Sequence, residues 1–145
     1  MSKLSTRHLS AKHHDKLVTV LRLSLATVFM WFGALKVAGF NPVFDLIHHS
    51  MAPFLAYGTG FLVLGLFEVL IGFLLLTNRM LGPTHLFLFL HLLGTFSVLF
   101  FGWNVIFNPS FPVLSLQGEF VVKNIVLVSA GLVVLAHESK KAVRR

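Results

Sequence analysis

The chain has 145 residues, of which 56% are hydrophobic and 12% charged, and its net charge is +7. A soluble domain of this size could not cover so much apolar surface, whereas a lipid bilayer can. The basic residues gather mainly in two terminal segments beside apolar runs. This arrangement is typical of membrane topology, so we expect the lipid bilayer, and no nucleic acid, as a partner. The absence of Cys excludes disulfides, thiol catalysis and thiolate metal sites.

Four apolar windows are each long enough to cross a bilayer core of about 30 Å as a helix. They cover residues 17–40, 54–77, 83–107 and 119–137. Proline-containing breakers, among them Asn41-Pro42, Gly82-Pro83 and Asn108-Pro109, lie at or between the ends of these windows. The sequence therefore predicts an all-α fold, a four-helix transmembrane bundle over residues 17–137, with basic tails at residues 1–16 and 138–145.

Outside the four predicted spans, Lys and Arg lie on one side of this predicted bundle. They precede the first window, occur at Arg79 between the second and third, and follow the fourth, while the loops 41–53 and 108–118 have none. The positive-inside rule therefore places both termini in the cytoplasm. The first window is longer than the apolar run of a secretory signal and no clear cleavage site follows, so we expect it to be retained as a helix.

Two cations share one face of the first span. At about 100° per residue, Arg22 and Lys36 fall on the same stripe as Ala26, Phe29 and Gly33. Either cation alone could snorkel to an interface. Their common stripe favours a face that is turned into the bundle.

Glu68 lies about 15 Å from either end of the second span and is too short to snorkel, so it needs a partner or a proton. Gly65 and Gly72 share its face and allow another helix to approach closely. His91 on the third span has a similar depth and can pair with Glu68, and Arg22 can reach it from below. The alternatives are a protonated carboxyl bonded to a backbone carbonyl, and a His91 that is only packed and hydrogen-bonded.

The fourth span begins with Glu119 and Lys123, an i,i+4 pair in the favourable order that can sit at the outer interface. Lys36 ends the first span at the same outer level. Two lysines there, with Asp45 and Glu119 nearby, predict a positively biased outer pocket that holds an anionic or carbonyl-bearing ligand.

Metal and cofactor motifs are weak in this sequence. The adjacent pairs His13-His14 and His48-His49 point their side chains apart, so we expect no metal site. A bis-histidine haem would need inward histidines at matched depth on two helices, and only His91 lies deep within a span. The sequence carries no flavin, haem or nicotinamide motif, so electron transfer would need a partner protein or a bound quinone.

Three stretches carry a family resemblance, and the match runs through all four spans. They are LRLSLATVFMWFGALK (21–36), LFEVLIGFLLL (66–76) and FPVLSLQGEFVVKNIVLVSAGLVVLA (111–136). They resemble the DoxX-like membrane proteins, particularly the YkgB-like branch associated with resistance to reactive chlorine. Four polar residues match that pattern: Arg22, Lys36, Glu68 and Lys123. Where the branch leads us to expect Lys-Asp, this chain has Lys123-Asn124.

The resemblance implies a four-helix protein of the bacterial cytoplasmic (inner) membrane, associated with quinone-linked or sulfur-linked oxidoreductases and oxidative-stress defence. Our leading hypothesis is an accessory of such a system that holds a quinone-like or other small ligand between Lys36, Glu68 and Lys123. No self-contained catalytic motif is present, so any redox activity would be that of an oxidoreductase subunit, and a homo-oligomer is an alternative assembly. The candidate functional residues are Arg22, Lys36, Glu68, His91, Lys123 and Asn124.

Two other classes of function stay open. In a small proton-coupled transporter or channel subunit, Arg22, Glu68 and His91 would form a proton or ion path. In a structural or assembly protein of a membrane complex, the buried charges would only fix the helix register.

The orientation can be tested with alkaline phosphatase fusions, because this enzyme is active only outside the cytoplasm. We expect inactive fusions at the C-terminus and active fusions at Asp45 and Ser110, since the loops that hold these two residues lack Lys and Arg. The reverse activity pattern would contradict the predicted topology.

Overall fold

The computed structural model describes the backbone of residues 2–143 and the side chains of residues 13–143. The helices are α1 (Ser2–Val37), α2 (Phe44–His48), α3 (Gly58–Thr77), α4 (Leu81–Phe96), α5 (Val98–Phe101), α6 (Trp103–Ile106) and α7 (Leu116–Val143). Four segments are long and apolar enough to cross a membrane: His13–Val37, Gly58–Thr77, Leu81–Phe101 and Leu116–Val143. The predicted all-α, four-helix bundle is confirmed, and the chain is a multi-pass membrane protein.

Part of the evidence for the orientation lies outside the described residues. This applies to the side chains of Lys3, Arg7 and Lys12 and to Arg144 and Arg145. The cytoplasmic position of both termini therefore stays a prediction from the charge pattern.

α1 and α3 pack against each other more extensively than any other pair of helices. Glycines allow this contact, because a Cβ at Gly33 would lie 2.7 Å from both the Gly65 carbonyl oxygen and the Val69 nitrogen. A Cβ at Gly65 would in turn lie 2.8 Å from Lys36 Cβ. The two backbones thus approach as small-residue interfaces do in membranes, and the prediction for Gly65 is confirmed.

The helix of the third span ends earlier than the predicted window 83–107. It continues through Ser97, which keeps helical dihedral angles, and breaks at Gly102, which has φ −129° and ψ 40°. Ser97 Oγ donates to the Gly94 carbonyl and accepts from the Met51 backbone N–H at 2.9 Å. A serine that bonds to the preceding turn commonly bends a helix. Here Ser97 also anchors the loop between α1 and α3, through the backbone of Met51.

The loop between α1 and α3 forms a structured cover over one end of the bundle. It contains α2 and a 3-10 turn at Pro53–Ala56, so the second span begins at Gly58 and not at residue 54. Asn41 Nδ2 donates to the Ala56 carbonyl, and the Tyr57 hydroxyl lies 3.0 Å from His48 Nδ1. Leu46 of α2 is buried, which fixes the cover to the helices.

The apolar core is divided into two clusters along the bundle axis. The larger cluster joins α1, α3, α4 and α7, and it contains Val18, Leu25, Ala26, Phe29, Ile71, Leu75, Leu88, Leu92, Ala130 and Val134. The smaller cluster lies under the cover and contains Leu46, Val98, Ile106 and Val121. The buried polar residues of the spans lie between these two clusters or at their edges.

The close contact between α1 and α3 predicts that a methyl group added to a glycine at this contact destabilises the protein, whereas one added to a glycine elsewhere does not. Gly33→Ala should lower the free energy of unfolding by about 1–3 kcal/mol, because backbone atoms of α3 occupy the space that the methyl group needs. Gly82→Ala is the matched control, since nothing lies within 4 Å of its Cβ position. Unfolding by SDS in mixed micelles measures both, and equal stabilities would contradict the packing.

Candidate functional site

The buried carboxylate of Glu68 has two side-chain partners, each from a different helix. Lys36 Nζ of α1 donates to Oε2 at 2.8 Å, and His91 Nε2 of α4 lies 3.3 Å from Oε1. Only 7% of the Lys36 side chain and 5% of the Glu68 side chain are exposed. The predicted contact between Glu68 and His91 is present, and the snorkelling interpretation is wrong for Lys36.

Helix direction explains why Lys36 reaches so deep into the bundle. Side chains on a helix lean towards its N-terminus, and α1 and α3 run in opposite directions across the membrane. Lys36 therefore leans inward from the end of α1, while Glu68 leans towards it from the middle of α3. The contact at Gly65 places the lysine stem against α3, so the ammonium meets the carboxylate.

A cavity of about 330 Å³ adjoins this cluster, between the two apolar clusters of the core. Its walls are mainly apolar and come from α1, α3, α4 and α7, with the cover between α1 and α3 closing one side. Lys36, Glu68, His91 and Asn124 are its polar lining within the spans, together with Thr95. Both the volume and this composition are typical of small-molecule sites.

Asn124 of α7 contributes an amide that faces the cavity. The residue is 6% exposed and lines the cavity, and its side chain has no hydrogen-bond partner within the described part of the chain. The amide is therefore available to a ligand in the cavity, to which it can donate or from which it can accept a hydrogen bond.

The polar wall offers several hydrogen-bond donors and a carboxylate that can accept a proton. The Lys36 ammonium has three N–H groups, of which Glu68 accepts one, and the Asn124 amide can donate or accept. His91 lies beside Glu68 with the Phe29 ring packed edge-on against it, at a centroid distance of 5.4 Å. The arrangement can hold a carbonyl or hydroxyl oxygen and can pass a proton between that oxygen and the carboxylate.

Lys123 does not belong to this site, so the predicted pocket with two lysines is wrong. Its side chain is 73% exposed and pairs with Glu119 at 2.9 Å. Adjacent helical residues point about 100° apart, so the phase of α7 that buries Val121 and Asn124 turns Lys123 outward. Asp45 is likewise exposed and does not line the cavity.

Arg22 lies on the stripe predicted for it but does not reach Glu68. Its Nη1 donates to the carbonyls of Leu75 and Leu76, in the last turn of α3. Leu75 is about 10 Å along the helix from Glu68. A cation at a helix C-terminus is favourable, so the contact is that of a cap rather than part of a proton path.

The sequence did not identify the cover as part of the site. Seven cavity-lining residues come from it: Val43, Leu46, Ile47, Ser50, Met51, Ala52 and Leu55. The segment is too short for helical periodicity to show which residues face inward. Its apolar content between two proline-containing turns is the signal from which a buried segment could have been predicted.

Comparisons with protein families, with curated proteins and with solved structures found no match to this chain. The resemblance to DoxX-like proteins therefore rests on the residues quoted above.

The pairing in this site predicts a strong dependence of stability on charge balance. Lys36→Met should lower the free energy of unfolding by about 3–5 kcal/mol, because it leaves the Glu68 carboxylate buried without its counter-ion. The double variant Lys36→Met/Glu68→Gln should recover most of this loss, since no charge is then left unpaired. Lys123→Met is the matched control and should change stability by less than about 1 kcal/mol. A Lys36→Met protein as stable as Lys123→Met would contradict the buried pair.

Proposed function

We propose that this protein binds a small, neutral, mainly apolar molecule that carries a carbonyl or hydroxyl group, with a quinone as the leading candidate. The proposal rests on one observation: among the described residues the Asn124 amide has no hydrogen-bond partner, and it lies on the wall of an apolar cavity that is also lined by Lys36, Glu68 and His91. A quinone carbonyl would accept from the amide or the ammonium, while its ring would lie against apolar side chains.

We place this binding in a redox or oxidative-stress system of the bacterial cytoplasmic membrane. Support for this comes from the resemblance to the DoxX-like proteins and from the proton-carrying groups beside the cavity. Reduction of a quinone consumes two protons along with two electrons, and His91 and Glu68 lie where protons could be delivered to a bound oxygen. The electrons would come from a membrane oxidoreductase, to which this chain is an accessory.

A transporter or channel subunit has less support. Arg22, Glu68 and His91 would have to form one path, and the arginine donates instead to backbone carbonyls at the end of α3. A purely structural role accounts for the Lys36–Glu68 pair but not for the partnerless amide of Asn124. Proton flux in liposomes that hold only this protein would favour transport.

Ligand binding can be tested with the purified protein. We expect solvent extraction and mass spectrometry to recover a membrane quinone, and decylubiquinone to bind to protein depleted of it. Asn124→Leu should lower the affinity for decylubiquinone about tenfold or more, because it removes the hydrogen-bonding group while keeping the number and branching of the side-chain heavy atoms.

Lys123→Met is the control for this experiment, since its ammonium lies outside the cavity and its affinity should stay unchanged. A wild-type protein that retains no quinone and does not bind decylubiquinone would rule out the quinone. The redox context has a separate test: deletion should increase sensitivity to hypochlorous acid, and the Asn124→Leu gene should not restore resistance.

A further inference from the structure

Three metal-binding side chains meet at the opposite end of the bundle from the cavity. They are His14 and Asp15 near the beginning of the first span and His137 near the end of α7. Their ligand atoms all lie within 4.8 Å of one another. The adjacent-pair argument that excluded a metal site does not apply, because the third side chain comes from another helix.

The distances are close to those of a metal site. His137 Nε2 lies 3.1 Å from Asp15 Oδ1, and the rings of His14 and His137 have centroids 5.1 Å apart. Two ligands at zinc bond lengths of about 2.0–2.1 Å and tetrahedral angles are about 3.3 Å apart. The His137–Asp15 spacing of 3.1 Å is close to this value, and rotation of the exposed His14 side chain would complete the set.

We propose that His14, Asp15 and His137 form a site for a divalent transition-metal ion of the zinc class, joining α1 to α7. Two imidazoles and one carboxylate are ligands that Zn²⁺, Co²⁺ and Ni²⁺ accept, whereas Mg²⁺ and Ca²⁺ prefer oxygen ligands alone. Three protein ligands leave a fourth position for water, as in open zinc sites. An ion can enter past the Asp15 side chain, which is 52% exposed, while the His137 side chain is 15% exposed.

The position of this site suggests what the ion does. α1 and α7 contain the first and last spans, and their contact at this end includes His137 Nε2 and Asp15 Oδ1, which lie 3.1 Å apart. A bound ion would add three coordinate bonds that join the two helices. The ion would therefore stabilise the packing of α1 against α7 at this end of the bundle.

The test uses full-length protein without a polyhistidine tag, stripped with EDTA and titrated with Zn²⁺ in detergent micelles. We expect one Zn²⁺ per chain and a higher Tm with Zn²⁺ than with Mg²⁺, by linkage to the folded state. Co²⁺ should give the visible absorption of a four-coordinate complex. Removing one ligand in His14→Ala or His137→Ala should weaken Zn²⁺ binding at least about tenfold.

Asp15→Asn provides a second variant, because it keeps the size of the side chain but removes its negative charge and replaces one oxygen by an NH2 group. It should also lose the Co²⁺ spectrum. His49→Ala is the matched control, since His49 lies in the cover at the other end of the bundle, and it should bind Zn²⁺ as the wild type does. Absence of saturable Zn²⁺ binding, or equal affinity in the wild type and His137→Ala, would overturn the proposal.

Discussion

The burial of the Glu68 carboxylate is the constraint on which the rest of this structure depends. A carboxylate at this depth is removed from bulk water, so it is stabilised by partners from neighbouring helices. Lys36 and His91 provide them, from α1 and α4. Helices α1, α3 and α4 must therefore meet at one depth, each rotated so that its polar side chain faces the other two. The contact of α1 and α3 at Gly65 serves the same arrangement, because it lets the lysine stem lie against α3.

The cavity follows from the same constraint. Where polar side chains occupy the inner faces of the helices, apolar side chains cannot interdigitate to fill the centre of the bundle. The apolar core therefore separates into two clusters, one on each side of the polar residues. The cover between α1 and α3 closes this gap from one end, held by the bond from the Met51 backbone to Ser97. The hydroxyl of Ser97 is thus part of how the cavity is enclosed.

The sequence predicted the parts of the structure that depend on hydropathy and depth. Bilayer thickness requires about 20 apolar residues per span, which gave the four helices. The distance of Glu68 from both helix ends gave its need for a partner. The sequence could not identify Lys36 as that partner, because counting residues ignores the lean of side chains along a helix. The prediction that Lys123 lines the pocket used its charge and its depth but not the rotation of α7 about its axis. That rotation turns Asn124 inward and Lys123 outward.

The charge balance of the site also discriminates between the two ligand classes that the sequence left open. Lys36 and Glu68 neutralise each other, so the cavity presents no free positive charge to an anion. An anionic ligand that took the ammonium would leave the carboxylate buried alone, at a cost of about 3–5 kcal/mol, and would also lose its own hydration. A neutral carbonyl can instead accept a spare ammonium N–H or the Asn124 amide without breaking the pair. The buried pair thus makes an anionic ligand costly to bind, which supports our proposal of a neutral, carbonyl-bearing ligand.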